Sequence, residues 1–149
     1  MGESISTLAS VYLNNPGIVP SDNELSAFRA WLHTEFSKIP AKFMITRQDF
    51  SLEQTKQRYV QTGEIITSLV GIEHPFFTFI ENIRFRALHD WHHIITGSDS
   101  SFDGELRAYE MAVATAPEAI HWILRSEIVL QAAAMLQTGA YQEQKLVRV

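Results

Sequence analysis

The sequence predicts an all-α fold, a single-domain bundle of about five to seven helices over residues 1–149. Apolar residues recur at helical spacing along most of the chain, helix-start signals precede several of these stretches, and one segment alone resembles a strand. The chain has 149 residues, 46% of them hydrophobic and 19% charged. This composition supplies enough apolar surface for one buried core and too little charge for a disordered chain.

Composition and charge exclude several classes of function. The chain has no cysteine, which removes disulfide frameworks, cysteine zinc sites and thiol catalysis. Its net charge is −5 and its basic residues are scattered, so nucleic acid is not an expected partner. Residues 1–13 lack the pattern of a signal peptide, and the apolar run Ile65–Ile72 is far shorter than the ~20 residues of a membrane span. We therefore expect a cytoplasmic protein without a transmembrane segment.

The first half of the chain predicts three helices with recognisable start or stop signals. A loop signal at residues 14–17 ends a short first helix. A second helix is predicted over Asp22–Lys38, because Ser21 as N-cap and Glu24 three residues later form a capping box. A third helix is predicted near Leu52–Gln61.

The segments around the third helix are less distinct. Ser51 and Gln54 give that helix the same start signal. Ala41–Gln48 fits either a short strand or an extended link. The apolar positions within Ile65–Val70 fit a short buried helix or a strand, and we predict a helix there.

The second half predicts three longer helices. Pro75 suits the first position of a buried helix that runs to Thr96 and ends at Gly97. A polar loop then leads to a helix over about Asp103–Ala116. The last helix is predicted over about Pro117–Gln137, before a further glycine.

Histidines are concentrated in the best-defined helix. His89 and His93 are four residues apart, so their side chains leave the same helix face about 6 Å apart along the axis. That spacing lets two imidazoles bind one metal ion, as in H-E-x-x-H helices. Asp90 is placed either to complete the ligand set or to hydrogen-bond a ligand. Burying two histidines without partners is costly, which favours the metal interpretation.

A further ligand has to come from another helix. Glu105 stands near the start of the following helix, and a chain reversal at Gly97–Phe102 would turn it toward the histidines. Alternatively, Glu105 simply stabilises the helix N-terminus. Mixed nitrogen and oxygen ligands suit zinc, with iron or manganese possible.

These residues match a known pattern. His89-Asp90-x-x-His93, then eleven residues and Glu105, resembles the zinc-binding signature of the ubiquinone-biosynthesis family called coenzyme Q biosynthesis protein four. The likeness extends over about Arg84–Met111. Flanking residues agree with it, namely Arg84, Arg86, Thr96, Gly97 and Gly104.

The resemblance implies a helical metalloprotein that holds zinc through His89, Asp90, His93 and Glu105. It implies an apolar groove for a prenylated aromatic ring intermediate and a role in decarboxylation and hydroxylation of that ring, as a metal-dependent lyase or oxidative decarboxylase. It also implies association with other biosynthetic proteins and peripheral contact with a membrane. A homodimer is expected only because soluble helical proteins commonly form one.

Aromatic residues crowd the histidine helix and could line such a groove, although aromatics at helical spacing are equally typical of a plain core. They are Phe76, Phe77, Phe79, Phe85 and Trp91.

Three other interpretations remain open. A non-catalytic lipid-binding or scaffold protein would use the metal only to join two helices. The segment Asp99–Glu110 fits the spacing of an EF-hand calcium loop, but leaves His89 and His93 unexplained. An HD-type metal phosphohydrolase would use the dipeptide His89-Asp90 with His74 upstream, but lacks a suitable downstream aspartate.

Overall fold

The computed structural model describes residues 3–148, which form a mostly helical fold with one small sheet. This confirms the helical prediction and corrects the all-α one, because two strands pair in parallel. The elements are α1 (Ile5–Asn14), α2 (Asp22–Ser37), β1 (Lys42–Thr46), α3 (Leu52–Thr62), β2 (Glu64–Ser68), α4 (Phe79–Thr96), α5 (Phe102–Val113) and α6 (Glu118–Thr138).

The helix-start signals are confirmed at α2 and α3. Ser21 accepts from the backbone N–H of Glu24, whose side chain accepts from Ser21 in return. Ser51 and Gln54 make the same reciprocal pair at α3. Gly97 ends α4 in the left-handed conformation, with φ of 66°, as predicted.

The helix predicted over Ile65–Val70 is wrong, because residues 65–68 belong to β2. Gly63 ends α3 with φ of 72° and delivers the chain directly into the strand. Ile65 and Ile66 are buried, and β2 pairs in register with β1, which occupies the segment that fitted either a strand or a link. A short apolar run has no periodicity that separates strand from helix, so pairing with a distant segment decides.

The prediction that Pro75 opens α4 is also wrong, since α4 begins at Phe79. Thr78 is the N-cap and forms a capping box with Glu81. The backbone N–H groups of Phe76 and Phe77 donate to the ring of His74 instead. A side chain therefore satisfies these groups outside the helix.

α6 is the longest helix and changes its winding along its length. It opens with a 3₁₀ turn, passes through a π-helical turn at Arg125–Leu130 and ends before Gly139. Among residues 3–148 it alone is long and apolar enough to cross a membrane, yet half of its most apolar stretch is buried in the protein. That burial suits the core helix of a soluble protein.

The core lies between α6 and the helices packed on it. The aromatic ring of Phe28 stacks on Phe77 with 4.5 Å between centroids. The final segment, residues 140–148, crosses α6 and buries Leu146 and Val147. The other largest fully buried apolar side chains are Tyr12, Leu88, Ile120, Ile123, Leu124 and Leu130.

Candidate metal centre

Three of the predicted ligands meet between α4 and α5. His89 and His93 lie one turn apart on α4, and Glu105 lies in the first turn of α5. The chain reverses between Gly97, which ends α4, and Ser101, which caps α5. This confirms the expectation that the reversal turns Glu105 toward the histidines.

The spacing of the three ligand atoms fits a single metal ion. Nε2 of His89 lies 2.9 Å from Oε2 of Glu105 and 3.2 Å from Nε2 of His93. Nε2 of His93 lies 3.4 Å from the same oxygen. Neighbouring ligand atoms about 2.0–2.1 Å from a tetrahedral or octahedral metal are separated by roughly 2.8–3.4 Å. The three residues therefore could hold a metal ion.

The charges in this group depend on one another. Burial works to lower the pKa of His89, but the charge and hydrogen bond of Glu105 outweigh it and raise this pKa. Burial works to raise the pKa of Glu105, but His89 and His93 outweigh it and hold this pKa at about 2. Two facing imidazole nitrogens and a carboxylate oxygen thus compete for protons where one cation would satisfy all three.

The two histidines differ in how they are held. Nδ1 of His93 lies 3.0 Å from the hydroxyl of Ser98, which in turn lies 2.8 Å from the hydroxyl of Thr96. This chain fixes the ring of His93, as the outer partners of metal ligands commonly do. Nδ1 of His89 is buried and has no hydrogen-bond partner among residues 3–148.

Asp90 lies beside the three ligands but not among them. The group of ligand atoms found in the described residues consists of His89, His93 and Glu105. Asp90 faces the adjoining cavity, where burial raises its pKa to about 6 against the attraction of His89 and His93. Its role as a ligand stays a prediction.

Gly104 lets α5 approach the loop before it. A Cβ atom at this position would overlap the backbone carbonyl of Asp99. The absence of a side chain therefore sets how close the first turn of α5, with Glu105, lies to the end of α4.

The structure removes the basis for two alternative interpretations. α5 begins at Phe102, so most of Asp99–Glu110 is helical and cannot wrap a calcium ion as an EF-hand loop does. Asp99 instead accepts the backbone N–H of Ser101. His74, the upstream histidine of the phosphohydrolase interpretation, bonds to Glu127 and is not one of the three ligands.

A cavity of about 660 Å³ opens beside the metal centre, and His89, Asp90 and Glu105 form part of its wall. Its size lies within the usual range of small-molecule sites. Of the five aromatic residues expected to line a groove, only Phe85 does so, while Phe77 packs in the core. The other apolar lining residues include Ile66, Leu69, Val70, Ile128 and Met135.

A buried pair of residues at this cavity was not predicted from the sequence. Glu127 of α6 lines it, and its Oε1 lies 2.8 Å from Nε2 of His74. The side chain of His74 is fully buried and that of Glu127 is 5% exposed. The two residues are 53 positions apart, so no local motif joins them.

The fold and the site together define a mostly helical protein with a candidate two-histidine, one-carboxylate metal centre at the wall of a cavity. Comparison of the chain with protein-family models, with curated proteins and with solved structures returns no match.

Proposed function

We propose that the protein binds a divalent metal ion through His89, His93 and Glu105 and uses it to bind, and to process by decarboxylation or hydroxylation, a prenylated aromatic ring intermediate. The main support for a metal ion is that three candidate ligand atoms, contributed by two helices, lie 2.9–3.4 Å from one another. The likeness of this segment to the ubiquinone-biosynthesis signature supports the choice of a prenylated aromatic ring as the bound molecule.

An ion held by three protein side chains keeps at least one coordination position open for the bound molecule. It would supply Lewis acidity there, polarising an oxygen atom of the bound molecule. Zinc is proposed for the Lewis-acid chemistry, with iron or manganese as alternatives, because two histidines and a carboxylate serve both zinc and iron enzymes. Ring hydroxylation is an oxidation, so that step would need redox-active iron or manganese with dioxygen as the oxidant. Glu105 contributes a negative charge throughout the physiological range, since its pKa lies at about 2.

The cavity supports a ligand with a polar end and an apolar remainder. Its polar lining groups include Asp90 and Glu105, while Leu69, Val70 and Met135 are apolar. Val70 is 44% exposed, so apolar surface continues from the lining to the outside of the protein. This continuity supports entry of a prenylated ligand from a membrane surface, where the protein would bind peripherally with other biosynthetic proteins.

The alternative function is a non-catalytic lipid-binding or scaffold protein with a structural metal. It is favoured by the position of the ligands, because an ion there would join α4 to α5. In that case metal removal would unfold the protein, whereas an enzyme would keep most of its helix content and lose turnover.

Elemental analysis of protein purified without added metal tests the proposal. We expect about one zinc, iron or manganese ion per chain in the wild type and almost none in His89→Ala. Loss of a residue that only hydrogen-bonds a metal ligand lowers metal affinity ~10–100-fold, and loss of the ligand itself should lower it further. His33→Ala is the control, since His33 is exposed on α2. Metal-free wild type, or equal metal in His89→Ala, would overturn the proposal. Once metal is present, extraction and mass spectrometry of bound prenyl lipids test the ligand.

A further inference from the structure

Glu127 is a buried carboxylate with one oxygen directed away from its partner. Oε1 takes part in the bond with His74, while Oε2 accepts no hydrogen bond from the described residues. The side chain is 5% exposed, and the residue forms part of the cavity wall. Because Oε2 is not sealed from solvent, it is open to the cavity and can accept a hydrogen bond from a molecule bound there.

His74 orients this carboxylate. Its Nδ1 accepts the backbone N–H groups of Phe76 and Phe77, at 3.1 and 3.2 Å, so its Nε2 carries a proton and donates to Glu127. The ring also stacks on Phe77, with 3.8 Å between centroids and 3° between planes. Both ring nitrogens are occupied and the ring is packed, so His74 fixes the carboxylate without competing for a ligand.

The winding of α6 contributes to this placement. Glu127 belongs to the π-helical turn Arg125–Leu130, and such turns occur frequently at functional sites. The preceding residue, Ser126, is buried and accepts the backbone N–H of Val147. The turn thus anchors the final segment of the chain through one side chain and presents a carboxylate to the cavity through the next.

We propose that Glu127, oriented by His74, binds a hydrogen-bond donor of the ligand, a hydroxyl group on its ring, from the α6 wall of the cavity. The metal centre lies on α4 and α5, so the ligand would be held at two points on different elements of the fold. The inference rests on the proposed function, because it assumes a ligand whose anionic group is bound at the metal. It adds a specificity-determining residue that selects a hydroxylated ring.

The test uses four small aromatic acids as probes. Zinc-loaded protein is titrated by calorimetry with 3- and 4-hydroxybenzoate and with their methoxy counterparts, which keep the ring and the acid but lack the O–H donor. In the wild type we expect at least one hydroxy acid to bind about 10-fold or more tightly than its methoxy partner, as hydrogen bonds to charged groups allow.

Glu127→Gln keeps the size of the side chain. The N–H of His74 needs an acceptor, so the amide oxygen takes the place of Oε1 and the NH₂ group takes the place of the free oxygen. We expect the preference for the hydroxy acid to fall to within about twofold, because an NH₂ group accepts no hydrogen bond. Glu118→Gln, an exposed position on the same helix, should leave the preference unchanged. A role of Glu127 in folding alone would weaken both members of a pair equally.

The outcomes separate this inference from the proposed function. Protein that holds no zinc, iron or manganese overturns the proposed function, and with it the anchored ligand assumed here. Zinc retained in a wild type that binds none of the four acids, or that shows no hydroxyl preference, overturns the present inference alone. So does a preference that survives in Glu127→Gln. A wild type without a hydroxyl preference overturns the inference even where the variant fails to fold.

Discussion

Two histidine–glutamate contacts lie at one cavity, and they differ in how many hydrogen bonds each histidine makes. His89 meets Glu105 at 2.9 Å, and His74 meets Glu127 at 2.8 Å. His74 uses both ring nitrogens and stacks on an aromatic ring. His89 instead faces a second imidazole at 3.2 Å and has a buried nitrogen without a partner.

The difference teaches how to separate a candidate metal-binding histidine from a structural one: the His74 side chain is fully buried and fully hydrogen-bonded, whereas that of His89 is 22% exposed. Hydrogen bonds at both ring nitrogens of His74 lower the free energy of the folded state. The facing Nε2 atoms of His89 and His93 instead lie where one cation could bind both. The pair with complete bonds should therefore contribute stability, and the pair with incomplete bonds should contribute metal affinity. Mutation of each pair, with stability and metal affinity measured separately, tests this comparison.

The largest effect on stability is expected from His74→Phe. Phenylalanine keeps the stacking on Phe77 but leaves the carboxylate of Glu127 and two backbone N–H groups without their partner. We expect the free energy of unfolding of the metal-free protein to fall by about 3 kcal/mol, measured by urea denaturation. Metal content should stay at the wild-type level. A loss of metal with unchanged stability would reverse the assignment of the two pairs.

Metal loading should stabilise the protein in a pH-dependent way. An ion at the proposed metal centre would bind with His89 neutral, and the raised pKa of His89 makes protons compete for Nε2. With free zinc about 100-fold above its Kd, the stabilisation is about 2.7 kcal/mol. The zinc affinity should fall about tenfold for each pH unit below the pKa of His89, and the stabilisation should fall with it.

The metal-free protein should show the opposite trend. The raised pKa of His89 contributes stability that is complete below about pH 6.5 and is lost as pH rises through the folded pKa. Glu105, with its pKa at about 2, stays ionised over this range and adds no slope. The difference in Tm between zinc-loaded and chelator-treated protein should thus widen from about pH 6 to about pH 8. A constant or narrowing difference would contradict ligation by His89.

A smaller effect is expected from Ser98→Ala. This change removes the hydroxyl that lies 3.0 Å from Nδ1 of His93 and leaves all three ligands in place. We expect zinc affinity to fall by about 10–100-fold, measured by competition with a chromophoric chelator. Ser100→Ala changes an exposed serine of the same loop and should leave the affinity as it was. Equal affinities in both variants would show that His93 needs no outer partner.

The sequence predicted what local chemistry decides. The capping boxes at Ser21 and Ser51 and the helical spacing of His89 and His93 were confirmed, because each depends on residues within one turn. Glu105 could be placed because a short reversal leaves few paths back to α4.

What the sequence did not predict depends on distant partners. β2 forms because β1 pairs with it, and this pairing overrides the weak local preference of Ile65 and its neighbours. The start of α4 was misplaced at Pro75 although Thr78 and Glu81 carry the capping-box signal that was recognised elsewhere. His74 and Glu127 needed the tertiary structure, since only packing brings them into contact.

Gly104 has a consequence for how far the sequence of such a protein can drift. Any other residue there would drive a side chain into the backbone of Asp99 and push the carboxylate ligand away from both histidines. Distant descendants that hold a metal in the same manner should therefore carry glycine immediately before the acidic ligand, even where the remaining surface has been replaced. We expect Gly104 to be retained in such sequences more often than larger residues such as Trp91.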